Sequence, residues 1–270
     1  GGGGVAAELG FVTVSNTTIS GNTASGSLVS SRTIAGGIQV GDHPASFGVV
    51  TMTNTIVALN TLGTAPPGSG PDVRGPFTSL GYNLIGIADG STGLTATGDQ
   101  TGTTAAPLDP WLATGLADNG GSTLTRMPLA GSPAIDTGDP GVTSTPPTGD
   151  QRGFVRVFNG RVDIGAVEVG SVGVVTNAAT SLGAGTATLN GLAYLNSLPA
   201  DVLFRIGTDP TLVVGTDSTA QSIGTGTGSV PVSETVSSLD PDTTYYFQLV
   251  LTNAEGRFEG RILSFVLGSR

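Results

Sequence analysis

The sequence predicts an all-β chain of two unlike halves joined by a polar middle rich in Arg and Asp, and three observations predict it. Short β-branched runs broken by Gly, Asn and Pro fill the 270 residues, with no sustained 3.6-residue apolar period. A block near the N-terminus recurs at a constant offset. Beyond Gly170 the punctuation changes to longer alternating runs at the spacing of an antiparallel sandwich.

Residues 1–106 carry the repeat. Phe11-Val-Thr-Val-Ser-Asn16-Thr-Thr-Ile19-Ser-Gly-Asn22-Thr23 matches Val49-Val-Thr-Met-Thr-Asn54-Thr-Ile-Val57-Ala-Leu-Asn60-Thr61, and each copy follows a Gly-Gly-apolar step, Gly3-Gly4-Val5 and Gly36-Gly37-Ile38. A degenerate third copy runs from Asp72-Val73 to Leu84-Ile85. Period-2 alternation places Val12 and Val14, and by equivalence Val50 and Met52, on one inward face. One copy cannot bury that face alone, whereas stacked copies can, which is the logic of a parallel β-helix. Asn16 with Asn54, and Asn22 with Asn60, are expected to stack their amides as a structural ladder. Residues 62–71 and 89–106 read as loops leaving the stack. Asp72 and Arg74 predict a surface ion pair, and His43, the only His, an exposed loop.

Residues 107–170 hold the only Trp and four Arg. Trp111 is expected to plug the last turn, with sugar stacking as the alternative. Val155 to Ile164 reads as a hairpin, because Asn159-Gly160 suits a type I′ turn. Asp118, Asp136, Asp139, Asp150, Asp163 and Glu168 form an acidic set, and Asp136, Asp139, Asp150 and Asp163 are its calcium candidates. The competing expectation is a salt-bridge network with Arg126, Arg152, Arg156 and Arg161.

The motifs GGI, VTVSNTTISGNTA, GPDVRG and SLGYNLIG resemble the right-handed parallel β-helix repeats of bacterial exported proteins. DNGGSTLT, AGSPAIDTGD, DQRGF and DIGAVE resemble the C-terminal region that closes many of those helices. The resemblance covers residues 1–169 and implies a short right-handed β-helix with a C-terminal cap.

Residues 171–270 offer strands at Val174–Ala178, Thr186–Leu192, Val202–Ile206, Ser229–Val236, Thr244–Leu251 and Arg261–Val266. Leu239-Asp-Pro-Asp-Thr-Thr-Tyr245 resembles the corner of a fibronectin type III-like module, in which Tyr245 would bond upstream backbone through its hydroxyl. The Trp often found in an early strand of such modules is absent.

Composition narrows the function. A net charge of −10 with ten Arg and no Lys sets nucleic acid aside as a partner. Lack of Cys removes disulfides, thiol nucleophiles and thiolate metal sites. No stretch reaches the ~20 apolar residues of a membrane helix, so no membrane insertion is expected. The chain opens on four Gly with neither Met nor a leader and reads as a trimmed portion of something longer. No catalytic set recurs on a strand face, and no cofactor other than calcium is implied. The expectation is therefore a non-enzymatic structural or adhesive protein at or beyond a bacterial surface, its partners other copies of itself or other surface proteins. Its open first turn at Gly3, Gly4, Val5 and Ala6 would serve as an assembly edge in a head-to-tail filament. The alternative is a polysaccharide-binding or polysaccharide-degrading β-helix.

Overall fold

A computed structural model describes residues 3–26, 33–41, 47–121, 123–142 and 149–268. His43 and Arg32 lie outside them. The chain is all-β, and among the described residues there is no helix. It divides into a parallel unit, Gly1–Leu116 with Thr125–Thr145 and Arg156–Val169, and an antiparallel unit, Ala117–Leu124 with Pro146–Val155 and Gly170–Arg270.

The parallel unit contains β1 (Val5–Ala7), β2 (Leu9–Ser15), β3 (Thr18–Ile19), β4 (Thr23–Ala24), β5 (Ile38–Val40), β6 (Phe47–Thr53), β7 (Ile56–Val57), β8 (Thr61–Leu62), β9 (Val73–Ser79), β10 (Leu84–Ile85), β11 (Ser91–Thr92) and β12 (Gln100–Thr101). Residues matched in the repeat pair in register: Phe11 with Val49, Thr18 with Ile56, Thr23 with Thr61. The degenerate copy supplies the next layer, with Val73 beside Ile38, Phe77 beside Val50 and Leu84 beside Ile56. Residues 89–106 are more than a loop. β11 pairs with β9 and β12 with β10, a partial fourth layer too short to show alternation in the sequence.

Two cores follow from the side-chain directions. Val14, Ile19, Val40, Val50, Met52, Val57, Phe77 and Ile85 fill the inner one. Ile56, Ala58 and Leu84 face the other way and pack against Leu112, Ala134 and Ile164. Residues from 107 onward in this unit thus cover the outer flank of β7 and β10 and do not plug the last layer. The strap reaches every layer of that flank: Gln100 Nε2 donates to the Pro133 carbonyl, and the Ala166 amide donates to Thr18 Oγ1 across 148 residues of sequence. Short strands buried on both faces need apolar residues at consecutive positions, as at Ile56-Val57 and Leu84-Ile85.

The antiparallel unit contains β13 (Gly173–Gly183), β14 (Thr186–Asn196), β15 (Ala200–Gly207), β16 (Thr216–Asp217), β17 (Gln221–Gly224), β18 (Thr227–Ser237), β19 (Thr244–Asn253), β20 (Gly256–Glu259) and β21 (Leu263–Val266). The six strands expected from sequence coincide with β13, β14, β15, β18, β19 and β21. One sheet runs β13-β14-β18; the other is centred on β15 and β19, with β16, β17, β20 and β21 at its margins. Leu189, Ala193 and Val232 from the first sheet meet Phe204, Phe247 and Leu249 from the second in a single apolar core.

Candidate functional site

The best candidate lies in the parallel unit, where Asn159-Gly160 turns the chain back. Both residues have positive φ, 54° and 81°, and the Arg161 amide donates to the Phe158 carbonyl at 3.3 Å, closing the two-residue turn, but the hairpin expected over Val155–Ile164 shrinks to the single bridge Phe158–Arg161, with no strand on either side. Beyond the turn, the carboxylates of Asp136, Asp163 and Glu168 come within 4.8 Å of one another. Asp163 and Glu168 are fully buried.

Each oxygen of the two buried carboxylates accepts a backbone amide. Asp163 takes those of Asp136 (2.7 Å) and Val169 (2.6 Å), and Glu168 those of Phe158 (3.0 Å) and Asp163 (2.9 Å). Arg156, also buried, donates to the Asp163 and Gly165 carbonyls and to Asn16 Oδ1. Burial pushes the Glu168 carboxyl up to about 8, and the charge of Asp163 adds to the rise. Burial also pushes Asp163 up to about 6, against the amides of Asp136 and Val169. The group can hold a proton at neutral pH while it anchors the turn.

Of the four calcium candidates, Asp136 and Asp163 come together, joined by Glu168. Asp139 stands apart: its amide donates to Asn54 Oδ1 and its carboxylate accepts the Gly141 amide. Asp150 belongs to the antiparallel unit, as does Asp118.

A second constellation runs down the corners of the parallel unit. Asn22 presents both its amide N and its Nδ2 to Asn60 Oδ1 at 3.0 Å, and Asn60 presents the same pair to Asp72 Oδ1 at 3.0 Å. Asn83 repeats this clamp on Asp99 Oδ1. Each column ends on a carboxylate because the last position must accept without donating. Asp72 is therefore buried at 2% exposure and also accepts the Ile87 amide, in place of the surface ion pair expected with Arg74. Arg74 instead donates to Thr33 and to the Gly90 carbonyl. Burial raises the Asp72 carboxyl above its usual range, opposed by the Asn60 and Ile87 bonds. Asp99 was findable in the sequence, since Asn83-Leu-Ile and Asp99-Gln-Thr follow the pattern of Thr55-Ile-Val.

Asn16 and Asn54 make different bonds. Both sit at left-handed corners, φ 48° and 47°, a conformation Asn tolerates. Asn54 Oδ1 receives Asp139 and Asn16 Oδ1 receives Arg156, so they fasten the strap.

Of the expected salt-bridge network, the Asp150–Arg152 pair forms within the antiparallel unit, at 2.7 Å and buried. Arg126 and Arg161 donate to backbone carbonyls, those of Ala113 and Thr114 and of Thr137 and Gly138. Trp111 is 51% exposed, which departs from the buried plug expected of it. Gly3, Gly4 and Val5 donate inward to the Ala35, Gly36 and Gly37 carbonyls. Among the described residues, β1, β2, β3 and β4 each have a strand neighbour on one side only. Tyr245 Oη accepts the Asp240 amide at 3.0 Å.

No family model matches the chain, and no curated protein matches it. Among solved structures, the sensor domain of the anti-sigma factor RsgI4 in Pseudobacteroides cellulosolvens is 18% identical with a TM-score of 0.31, over 36% of this chain and 96% of that one. A solution structure of that sensor domain gives the same identity and score over 36% and 76% of the two chains. A structure described as a myokine is 13% identical with a TM-score of 0.25, over 36% and 97%. At these scores the likeness carries no argument about fold or function.

Proposed function

We propose that this chain is a non-enzymatic extracellular structural or adhesive protein of a bacterial surface. In this reading the parallel unit is a short right-handed β-helix acting as a spacer, and the antiparallel unit is a fibronectin type III-like contact module. The in-register layers of β1 to β12 support the first part, and the Tyr245 corner with two antiparallel sheets around one core supports the second.

The observation that carries the non-enzymatic reading is where the acids go. Asp72, Asp99, Asp150, Asp163 and Glu168 all accept backbone amides at corners and turns. Of these, Asp72, Asp99, Asp163 and Glu168 hold corners and turns of the parallel unit, and Asp150 holds a turn of the antiparallel one. Calcium at Asp136 and Asp163 is the competing reading of this group, and its effect on stability distinguishes the two.

The edge of the first layer supports assembly. The Val5 amide and the Ala7 carbonyl face β5, so alternation turns the Ala6 N–H and C=O outward. An edge left in this state accepts another strand, and in this reading a second copy supplies it. Light scattering on the native chain is expected to give a mass above the monomer that drops to the monomer in Ala6→Pro, which removes the outward donor and spares the inward bonds. A monomer at every concentration, with rapid hydrogen exchange at Ala6, overturns the assembly reading. Cleavage of any member of a polysaccharide panel overturns the non-enzymatic one.

A further inference from the structure

The antiparallel unit contains a cleft of about 540 Å³ that the assembly reading does not use. One wall is the turn Asp150-Gln-Arg-Gly-Phe154. Asp150 Oδ1 accepts the amides of Arg152 (2.8 Å) and Phe154 (3.2 Å), while Oδ2 takes the Arg152 guanidinium. Arg152 also donates to Ser171 Oγ, and its guanidinium lies 4.3 Å from the centre of the Phe154 ring. Gly173 leaves room for that ring, because a Cβ there would collide with it. The wall is thus fixed before any ligand arrives.

The opposite wall is β20, an edge strand. Alternation sends Phe258 to the core and turns Arg257 and Glu259 together to the other face, where they pair at 2.9 Å while remaining exposed. Arg261, Asp118 and Gln151 also line the cleft.

The charges decide the ligand class. The lining carries three Arg, at 152, 257 and 261, and three acids, at 118, 150 and 259, so it is neutral as a whole. An anion would meet two of the three guanidinium groups already matched by Asp150 and Glu259, a cation would meet two of the three carboxylates already matched by Arg152 and Arg257, and Arg261 and Asp118 add one charge of each sign. Planar donors interleaved with planar acceptors suit a ligand that donates and accepts at each group, which is the property of hydroxyls. From this geometry we infer that the cleft binds a neutral polyhydroxyl chain, a stretch of uncharged polysaccharide. The inference rests on the adhesive part of the proposed function and names its ligand; it is independent of self-assembly.

The test is affinity electrophoresis and calorimetry of the full chain with soluble β-glucan, galactomannan and dextran, with polygalacturonate as the charged comparison. Binding to at least one neutral polymer is expected, weakened about tenfold in Arg261→Ala and in Glu259→Gln, each of which removes one charge-assisted hydrogen bond. Both side chains are exposed, so thermal unfolding should match the wild type and separate lost binding from lost fold. Binding to none of the three neutral polymers, preference for polygalacturonate, or unchanged affinity in both variants overturns the inference. Any of these leaves the Ala6→Pro scattering result standing, so failure of the ligand and failure of the assembly are read separately.

Discussion

The two units solve the same problem in opposite ways. Each must pair its backbone and bury an apolar face. The antiparallel unit does so with long strands and a core of Phe, Leu and Val, while its Asn190 side chain bonds at the surface. The parallel unit has strands as short as two residues and a corner after nearly every one. Its corners are satisfied by buried side chains: Asn54, Asn60, Asn83, Asp72, Asp163 and Glu168 are all at 5% exposure or less. Stacking equal layers brings like residues together, so one amide can serve two layers. Stability should therefore depend on apolar volume in one unit and on polar satisfaction in the other.

The largest expected effect is in the antiparallel core. Phe247→Ala removes a fully buried ring that packs on both Phe204 and Phe265, and should cost about 3–5 kcal/mol by chemical denaturation. A loss below 1 kcal/mol would break the contrast. Next comes Asn60→Leu, which keeps the number and branching of the side-chain heavy atoms. It strips Asn22 of its acceptor and Asp72 of the Asn60 Nδ2 donor while the Asn60 backbone amide still reaches Asp72, and should cost about 2–3 kcal/mol despite added apolar surface. A gain in stability would show that packing rules both units.

The acid group gives a smaller effect with a definite sign. Glu168 and Asp163 are raised in the folded chain from ordinary values of 4.5 and 3.8 to about 8 and about 6. The native state therefore keeps protons that the unfolded state releases. The stability that these two carboxyls contribute is fully present below about pH 4 and declines as pH rises toward 8. Glu168→Gln should flatten that decline, which urea midpoints across the window would show. Bound calcium would reverse the sign, so a midpoint that rises with calcium and falls with chelator between pH 6 and 8 would restore the cation reading. The smallest effect is Tyr245→Phe, which deletes a single exposed bond to the Asp240 amide and should cost about 1 kcal/mol.

Legibility in the sequence followed the same division. The register of β2 on β6 could be read because seven residues repeat with matching alternation. The turn at Asn159-Gly160 was readable because those two residues favour positive φ. The flank strap was not, although Ile56-Val57 and Leu84-Ile85 show apolar residues on both faces, because two residues are too few to separate a two-sided strand from a loop. Asp72 misled for a related reason. Its spacing from Arg74 suggested a shared face, while its partner Asn60 comes from the preceding layer. Of the candidate site, the acids were visible by composition, and their burial was not, because it depends on contacts far apart along the chain.

The distance between Thr18 and Ala166 has a consequence for synthesis. At a ribosomal rate of ~5–20 residues per second, the 148 residues between them take about 7–30 s to appear. Once made, Ile56 and Leu84 wait for the later part of that interval on a flank of short strands until Ile164 can complete their cover, the kind of surface that other nascent chains or a holdase can occupy. A translational pause placed between Leu84 and Ala166 would lengthen the hazard, and one placed well beyond Ala166 would leave it unchanged, so the yield of folded protein should report where along the message the ribosome slows.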